Sequence, residues 1–331
     1  MNDKIARHLT IALTCLVAGV LFQPVLHAQG LKKIRMGIAS MNVSYLTFFA
    51  GLQKGFFKDE GIDLELILMS PTTANTAVLA GDLDYNGTPT GVIGGAIRGQ
   101  PTKVVIFTVA RPLQVLMSRK EITEPGQLRG KKVAATSGAG STTFMAYQVL
   151  RQFGLEPGKD VEVILLGGAP QGRLGILENG TVDAAFLSVP ENIVAARKGF
   201  NELAFGTDRV DFPQNGFGTS QRRIQENPDE VYRMVRALLR GLSFIWEKKN
   251  YEDSLEVILR QYKMTDRKMA GEMYQSAMRV MTKDASVRPE SVQMLIDLAR
   301  EAAKITRPVT VAEVYDPSFV DRARRELSIS K

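Results

Sequence analysis

Short apolar runs alternate with helical patterns from Lys33 onward, and this alternation constrains the fold more than any other feature of the chain. Residues 33–39, 63–69, 83–87, 103–109 and 113–118 read as strands, mostly apolar and so suited to a sheet covered on both faces. Between the first two, Phe48, Phe49, Leu52, Phe56 and Phe57 recur at helical spacing in a helix from about Tyr45 to Gly61. A second helix opens at Pro71-Thr72-Thr73 and closes at Gly81. A third, rich in glycine, starts at Thr88-Pro89-Thr90 and ends near Gly99. The pattern resumes with strands at 133–135, 161–166 and 182–187, each followed by a helical stretch. Such alternation predicts an α/β fold with parallel sheets and right-handed crossovers. The carboxyl ends of the strands then share one side, where ligands bind.

The stretch from Arg129 to Leu150, RGKKVAATSGAGSTTFMAYQVL, shows what such an end looks like. A strand runs into a loop of glycines and hydroxyl residues, and a helix begins. Glycine lets a ligand approach the backbone, and the first N–H groups of a helix suit a polar or anionic group. A phosphate-binding P-loop needs Lys directly after its last glycine, but Ser141 stands there, so nucleotide binding is not expected. Ser137, Gly138, Ser141 and Thr142 are candidate ligand contacts; the alternative is that the hydroxyls only cap the helix. By the same logic Ser40, Met41, Asn42, Thr72, Thr88, Ser188 and Glu191 sit in strand-end loops. Tyr45 could form an aromatic wall or belong to the core. The sequons at Asn86-Gly87-Thr88 and Asn179-Gly180-Thr181 read as turns. Gly81 and Gly180 each precede an Asp by three residues ahead of a short strand. This is either a coincidence of similar turns or a sign of two lobes of similar topology.

The first 28 residues form a secretory leader on this reading: Lys4 and Arg7, an apolar run from Leu9 to Phe22, then Pro24 and Leu26-His27-Ala28. An uncleaved anchor or a lipidated Cys15 are the alternatives. The leader holds the single cysteine, Cys15, and both histidines, His8 and His27, so the rest of the chain has neither residue. Ser-His-Asp and Cys-His nucleophiles, His/Cys zinc ligation and disulfides are thereby excluded from the mature protein, and no cofactor or metal is expected. Removing Lys4, Arg7 and Asp3 with the leader lowers the formal charge from +7 to +6. No Lys/Arg block gives that charge a nucleic-acid role. From Asn227 the composition turns helical. Asn227-Pro228-Asp229-Glu230 reads as a capped helix start. Val231, Met234, Val235, Leu238, Leu239, Leu242, Ile245 and Trp246 form an apolar stripe for packing. Further helices are expected at 265–281, 289–305 and 317–327.

Several of these segments together resemble a known family. They are the leader, the strand 33–39 ahead of 48–61, Leu79-Ala80-Gly81-Asp82-Leu83-Asp84, Leu128-Arg129-Gly130-Lys131-Lys132-Val133, and Gly180-Thr181-Val182-Asp183-Ala184. Across residues 30–331 the chain looks like the periplasmic substrate-binding proteins of ABC importers. The group in question covers nitrate, sulfonate and taurine binders and relatives that bind thiamine pyrimidine precursors. The resemblance implies a type II periplasmic-binding fold, with two α/β lobes joined by two hinge strands and a helical C-terminal region. Lobe 1 would comprise residues 29–110 and 208–331, and lobe 2 residues 111–207. It further implies a monomeric periplasmic protein that holds a small polar or anionic organic solute between its lobes and hands it to a membrane permease. Arg111 would lie beside a hinge, bound to an anion or paired with an acid. The enzymatic pyrimidine-synthase relatives use histidine and a cysteine-rich motif that this chain lacks, so no enzyme activity is expected. No cluster of cleft arginines is apparent, which leaves the ligand class open. A secreted enzyme or a ligand sensor on the same fold is the alternative.

Overall fold

A computed structural model describes residues 30–136, 141–166 and 171–329. The expected leader falls outside these residues, as do Ser137 and Gly138. Ten strands are described: β1 (Lys32–Ile38), β2 (Ile62–Leu68), β3 (Tyr85–Asn86), β4 (Thr102–Phe107), β5 (Val115–Ser118), β6 (Lys132–Thr136), β7 (Glu162–Leu166), β8 (Ala184–Leu187), β9 (Asn201–Phe205) and β10 (Gly216–Ser220). They form two five-stranded sheets of orders β2-β1-β3-β10-β4 and β7-β6-β8-β5-β9. The two orders are equivalent. Each sheet has three parallel strands, then an antiparallel strand borrowed from the other half of the chain, then an edge strand. The glycine-and-aspartate echo maps onto this equivalence. Asp84 Oδ2 accepts the Arg35 N–H of β1 at 2.6 Å, and Asp183 Oδ2 accepts the Lys132 N–H of β6 at 2.9 Å.

The pairing register dictates which edges face each other. β4 ends at Phe107 opposite Gly216, where β10 begins. β5 begins at Val115, opposite both Leu187 at the end of β8 and Phe205 at the end of β9. Each crossing, 108–114 and 206–215, therefore joins the carboxyl edge of one sheet to the carboxyl edge of the other. The crossings are held together: the Thr108 and Val109 N–H groups donate to the Asn215 carbonyl (2.8 and 3.4 Å), and Gln214 N–H donates to Val109 O (3.0 Å). A third segment packs alongside. Ala110 N–H reaches Val280 O at 2.7 Å, and Thr282 N–H reaches Thr108 O at 2.9 Å.

Helices cover both sheets. The apolar stripe expected after Asn227 lies on the helix Pro228–Trp246, and its seven aliphatic members from Val231 to Ile245 are buried. Burial of this kind contributes roughly 2 kcal/mol per large side chain. Trp246 is partly buried, and its indole N–H donates to Thr282 O at 2.6 Å.

The structure departs from the sequence expectations at several points. The helix expected from Tyr45 to Gly61 is two helices, Leu46–Gln53 and Phe56–Asp59, because Gly55 takes φ +80° between them. Asn227 makes no side-chain cap, whereas Pro228, Asp229 and Glu230 stand in the first turn as expected, Glu230 also being buried in an ion network. β9, β10 and the helix Tyr251–Tyr262 were not expected as elements. Among the described residues no helix is long and apolar enough to cross a membrane.

Candidate functional site at the facing carboxyl edges

The loops after β1, β2 and β3 and the loop after β8 come to the edges that the two crossings join. In the first loop Ser40 is partly buried and Met41 is exposed. The Met41 carbonyl accepts the Tyr262 hydroxyl at 2.8 Å. Asn42 Oδ1 accepts the Ser44 N–H at 3.0 Å and also the Ser44 hydroxyl, which caps the turn Val43–Tyr45 ahead of the helix. Tyr45 is buried, with its ring centroid 5.7 Å from that of Phe48. Its hydroxyl lies 3.2 Å from Gly87 O and 3.1 Å from Thr88 Oγ1, so it ties the loop after β1 to the loop after β3. Burial pushes its pKa up, against the bonds from Thr88 and the Ala39 backbone. Of the two roles open to Tyr45, the structure places it in the core.

After β2, Thr72 is exposed in the first turn of the helix Pro71–Ala80; the cap is Ser70, whose Oγ accepts the Thr73 N–H at 3.1 Å. After β3, Thr88 is buried and donates its N–H to Asn86 Oδ1 at 2.9 Å. Thr90, two residues on, is buried as well. Arg111 is exposed and pairs with Asp211 Oδ1 at 3.4 Å, from one crossing to the other. Asp211 is also held by Arg288 and by the Ser291 hydroxyl. Of the two roles considered for Arg111, the structure shows the acid pair.

In the second sheet, Ser141 opens the helix Ser141–Gln152 and Thr142 is partly buried. Ser188 is buried after β8, and Glu191 and Asn192, the next polar residues, are 9% and 6% exposed. Beside them lies Arg173, 3% exposed, whose Nε donates to Phe186 O at 2.9 Å. Burial lowers the Arg173 pKa, and the Glu191 carboxylate works against that shift. Burial likewise raises the pKa of Glu191, with its own N–H and Arg173 pulling the other way. Tyr262 is raised well above its ordinary value, first by burial and then by the charge of Glu191. The phenol is tied to the Met41 loop by its bond to the Met41 carbonyl.

Several buried polar oxygens lie in the loops and turns after these strands, and Asn75 Oδ1, in the helix Pro71–Ala80, is a further unpartnered one. Among the described residues, Thr90 Oγ1, Thr108 Oγ1, Glu191 Oε2, Asn192 Oδ1 and Thr207 Oγ1 have no hydrogen-bond partner. Thr108 stands one residue after β4, Thr207 two after β9, Thr90 four after β3, and Glu191 and Asn192 four and five after β8. A buried polar atom without a partner costs about 1–3 kcal/mol, so a water or solute that bonded to these oxygens would relieve that cost. The sequence reading included Thr90 in the Thr88-Pro89-Thr90 loop but missed Thr108, Arg173, Asn192, Thr207 and Tyr262. Asn192 follows the 188–191 loop, so proximity could have found it. Arg173 carried a weaker signal, a charge in the first turn of a helix that follows a strand.

No group of three or more His, Cys, Asp or Glu among the described residues is placed to hold a metal ion. A separate groove of about 350 Å³ lies between the helices Ser141–Gln152 and Pro289–Ala303, lined by Phe144, Tyr147, Leu165, Leu298 and Ala302. It includes none of the expected strand-end contacts.

Two sheets of this order, with facing carboxyl edges joined by paired crossings, define the two-lobed periplasmic-binding fold. The chain belongs to the family described as NMT1/THI5 like, whose model matches residues 42–250. In sequence it is similar to YtlA of Bacillus subtilis (strain 168), a candidate binding protein, at 21% identity over 72% of this chain and 73% of that one. In structure it is similar to the periplasmic nitrate-binding protein NrtA from Synechocystis PCC 6803, with TM-score 0.76, 15% identity, and 91% and 90% of the two chains covered. The alkanesulfonate-binding protein SsuA from Xanthomonas axonopodis pv. citri, bound to MOPS, superposes with TM-score 0.70 and 14% identity over 88% of this chain and 100% of its own. The fold also carries an enzyme: the desulfurization enzyme DszB superposes with TM-score 0.62 and 13% identity over 89% of this chain and 99% of that one.

Proposed function

We propose that this chain is an extracytoplasmic, monomeric and non-enzymatic binding protein. It captures a small polar or anionic organic solute between its two lobes and delivers it to an ABC-type permease. The observation that carries this reading is the set of buried, unpartnered oxygens on the facing strand ends. A solute seated there would satisfy them, and rotation about the crossings 108–114 and 206–215 would close the lobes over it. Membership of the NMT1/THI5 like family and the binding proteins among its neighbours support the same reading. In this scheme residues 29–110 and 208–331 form one lobe, residues 111–207 form the other, and the first 28 residues are an export leader. In the same scheme Ser40, Met41, Thr88, Thr142, Ser188 and Glu191 contact the solute; the further proposed contacts Ser137 and Gly138 lie outside the described residues.

Calorimetry and thermal melting against a panel of small anions, carboxylates, sulfonates and heteroaromatic compounds test this. A ligand at a hundred times its Kd adds about 2.7 kcal/mol of apparent stability, a shift that is readily measured. A panel in which nothing binds and nothing raises the melting temperature overturns the binding reading. Turnover of a panel compound replaces it with the enzymatic one, in keeping with the likeness to DszB.

A further inference from the structure

Resting on that two-lobed reading, we propose that Arg197 and the acids facing it form an ionic latch, which holds the lobes in the arrangement seen here and makes it sensitive to salt. Arg197 ends the helix Glu191–Arg197, whose first residue is the buried Glu191 after β8. Its guanidinium spans two acids of the other lobe: Nη1 donates to Asp266 Oδ2 at 2.8 Å, and Nη2 donates to Glu272 Oε2 at 3.1 Å. Asp266 is set in place by its own helix, Arg267–Met278, which it caps by accepting the Met269 N–H at 2.8 Å. Its carboxyl is held below the ordinary pKa, first by that bond and then by Arg197. Glu272 sits on the same helix, and Arg267 braces the helix against Tyr251–Tyr262 through Glu252 and Glu256. One side chain with two donors thus meets a braced pair of acceptors, the geometry in which a surface ion pair contributes most.

The same helix reaches the crossings at its other end. Arg279, its C-cap, pairs with Asp208 at 3.0 Å, and its guanidinium lies 4.0 Å from the centroid of the Phe205 ring at the end of β9. Val280 and Thr282 follow and bond the first crossing. The helix has 12 residues, so about 18 Å separates the latch from the pivot. Rotation about the crossings therefore leaves the Arg279 contacts nearly in place and pulls the Asp266 end away from Arg197. The latch is the contact that must break. Arg151 and Glu301, which also face each other from different lobes, approach only to 3.8 Å, and Arg151 has Glu156 at 3.1 Å within its own lobe. The side chains of Arg197, Asp266 and Glu272 are 40%, 45% and 37% exposed, so dissolved ions reach them. The Debye length falls from about 10 Å at 0.1 M salt to about 3 Å at 1 M, which screens such a pair. A solute that binds this arrangement gains apparent affinity in proportion to the fraction of chains already in it, so the latch tunes affinity without touching the solute.

Distances between the lobes test this directly. The chain after residue 28 has no cysteine, so spin labels can be attached at two introduced positions alone. Ala196→Cys and Lys268→Cys, both exposed and each within two residues of a latch side chain, report the separation by electron spin resonance. At low salt the parent is expected to give mainly a short distance. Arg197→Ala should shift the ratio of short to long distances roughly threefold or more toward long, the scale of a surface ion pair. Raising NaCl to about 1 M should open the parent by a similar factor and leave Arg197→Ala as it was. Glu272→Gln should open the lobes less, since Asp266 remains, and it carries the test if Arg197→Ala does not fold. Arg307→Ala removes a comparably exposed pair, with Glu313, away from the latch and should leave the distances alone. A parent that shows mainly the long distance at low salt overturns the latch. So do variants at Arg197 and Glu272 that match the parent, a salt response that Arg197→Ala retains, or equal opening in Arg307→Ala. None of these measurements involves a solute, so they judge the latch alone, while the panel of compounds judges the binding reading.

Discussion

Replacing Glu230 by Gln should cost about 3 kcal/mol of stability, and the reasoning can be followed through its neighbours. Glu230 is 3% exposed, yet it stands in the first turn of a long surface helix. Its Oε1 accepts the Tyr85 hydroxyl at 2.8 Å and Arg223 Nε at 2.8 Å, while Oε2 is paired with the Lys32 ammonium. The carboxylate thereby ties β1, β3 and the helix Gln221–Glu226 to the start of the helix Pro228–Trp246. Glutamine keeps the shape but turns one acceptor into a donor that faces Arg223 and Lys32. Breaking a buried pair costs roughly 3–5 kcal/mol. The lower end applies here, because Arg223 keeps Asp84 at 2.5 Å and the Lys32 side chain is 48% exposed. For a chain of this size that corresponds to a fall in melting temperature of about 4–5 °C.

The same group sets a pH dependence. Burial opposes ionisation of Glu230, but the bonds from Arg223, Lys32 and Tyr85 outweigh it, so its pKa lies below the ordinary 4.5. A depressed carboxylate contributes stability that is present above its unfolded-state pKa and is lost as pH falls through the folded-state value. Urea titrations at pH 7 and at successive steps below pH 4.5 should show the parent losing this increment on acidification. Glu230→Gln should lack it at every pH. A loss under about 1 kcal/mol at neutral pH, or an unchanged acid limb in the variant, would refute the network's role.

Two further outcomes follow from the crossings. At Gly216 (φ +150°) an added Cβ would stand 1.9 Å from Ile106 O, so Gly216→Ala should displace β10 from β4. It should lower the urea midpoint well beyond the roughly 0.5 kcal/mol of an ordinary surface change; a midpoint close to that of the parent would show that the strand can shift at little cost. Trp246 is the chain's single tryptophan, and its bond to Thr282 leads by one further backbone bond to Thr108 in the first crossing. Intrinsic fluorescence should therefore change when a compound that binds by calorimetry is added; a flat spectrum at saturation would mean that the crossings do not move.

The sequence by itself determined the class of fold and where eight of the ten described strands would end. Alternation of apolar runs with Gly-, Pro- and hydroxyl-bounded helices is a local signal, carried by neighbours a few residues apart. β1, β2, β4, β6 and β7 each carry it within their own few residues. The strands β9 (NELAF) and β10 (GFGTS) do not. The first opens on the polar Asn201 and Glu202, and the second is rich in glycine and lies between β3 and β4. What each strand-end residue does was decided by tertiary structure alone. Tyr45 as core, Asn42 and Ser70 as caps, and Arg111 as the partner of Asp211 depend on groups that composition cannot place. The clearest case is the corner around Glu191. Arg173 lies 18 positions before Glu191 and Tyr262 lies 71 after it, and Tyr262 in turn bonds Met41, 221 positions away. Burial and unpaired charge are properties of that assembled corner, and no window of sequence contains it.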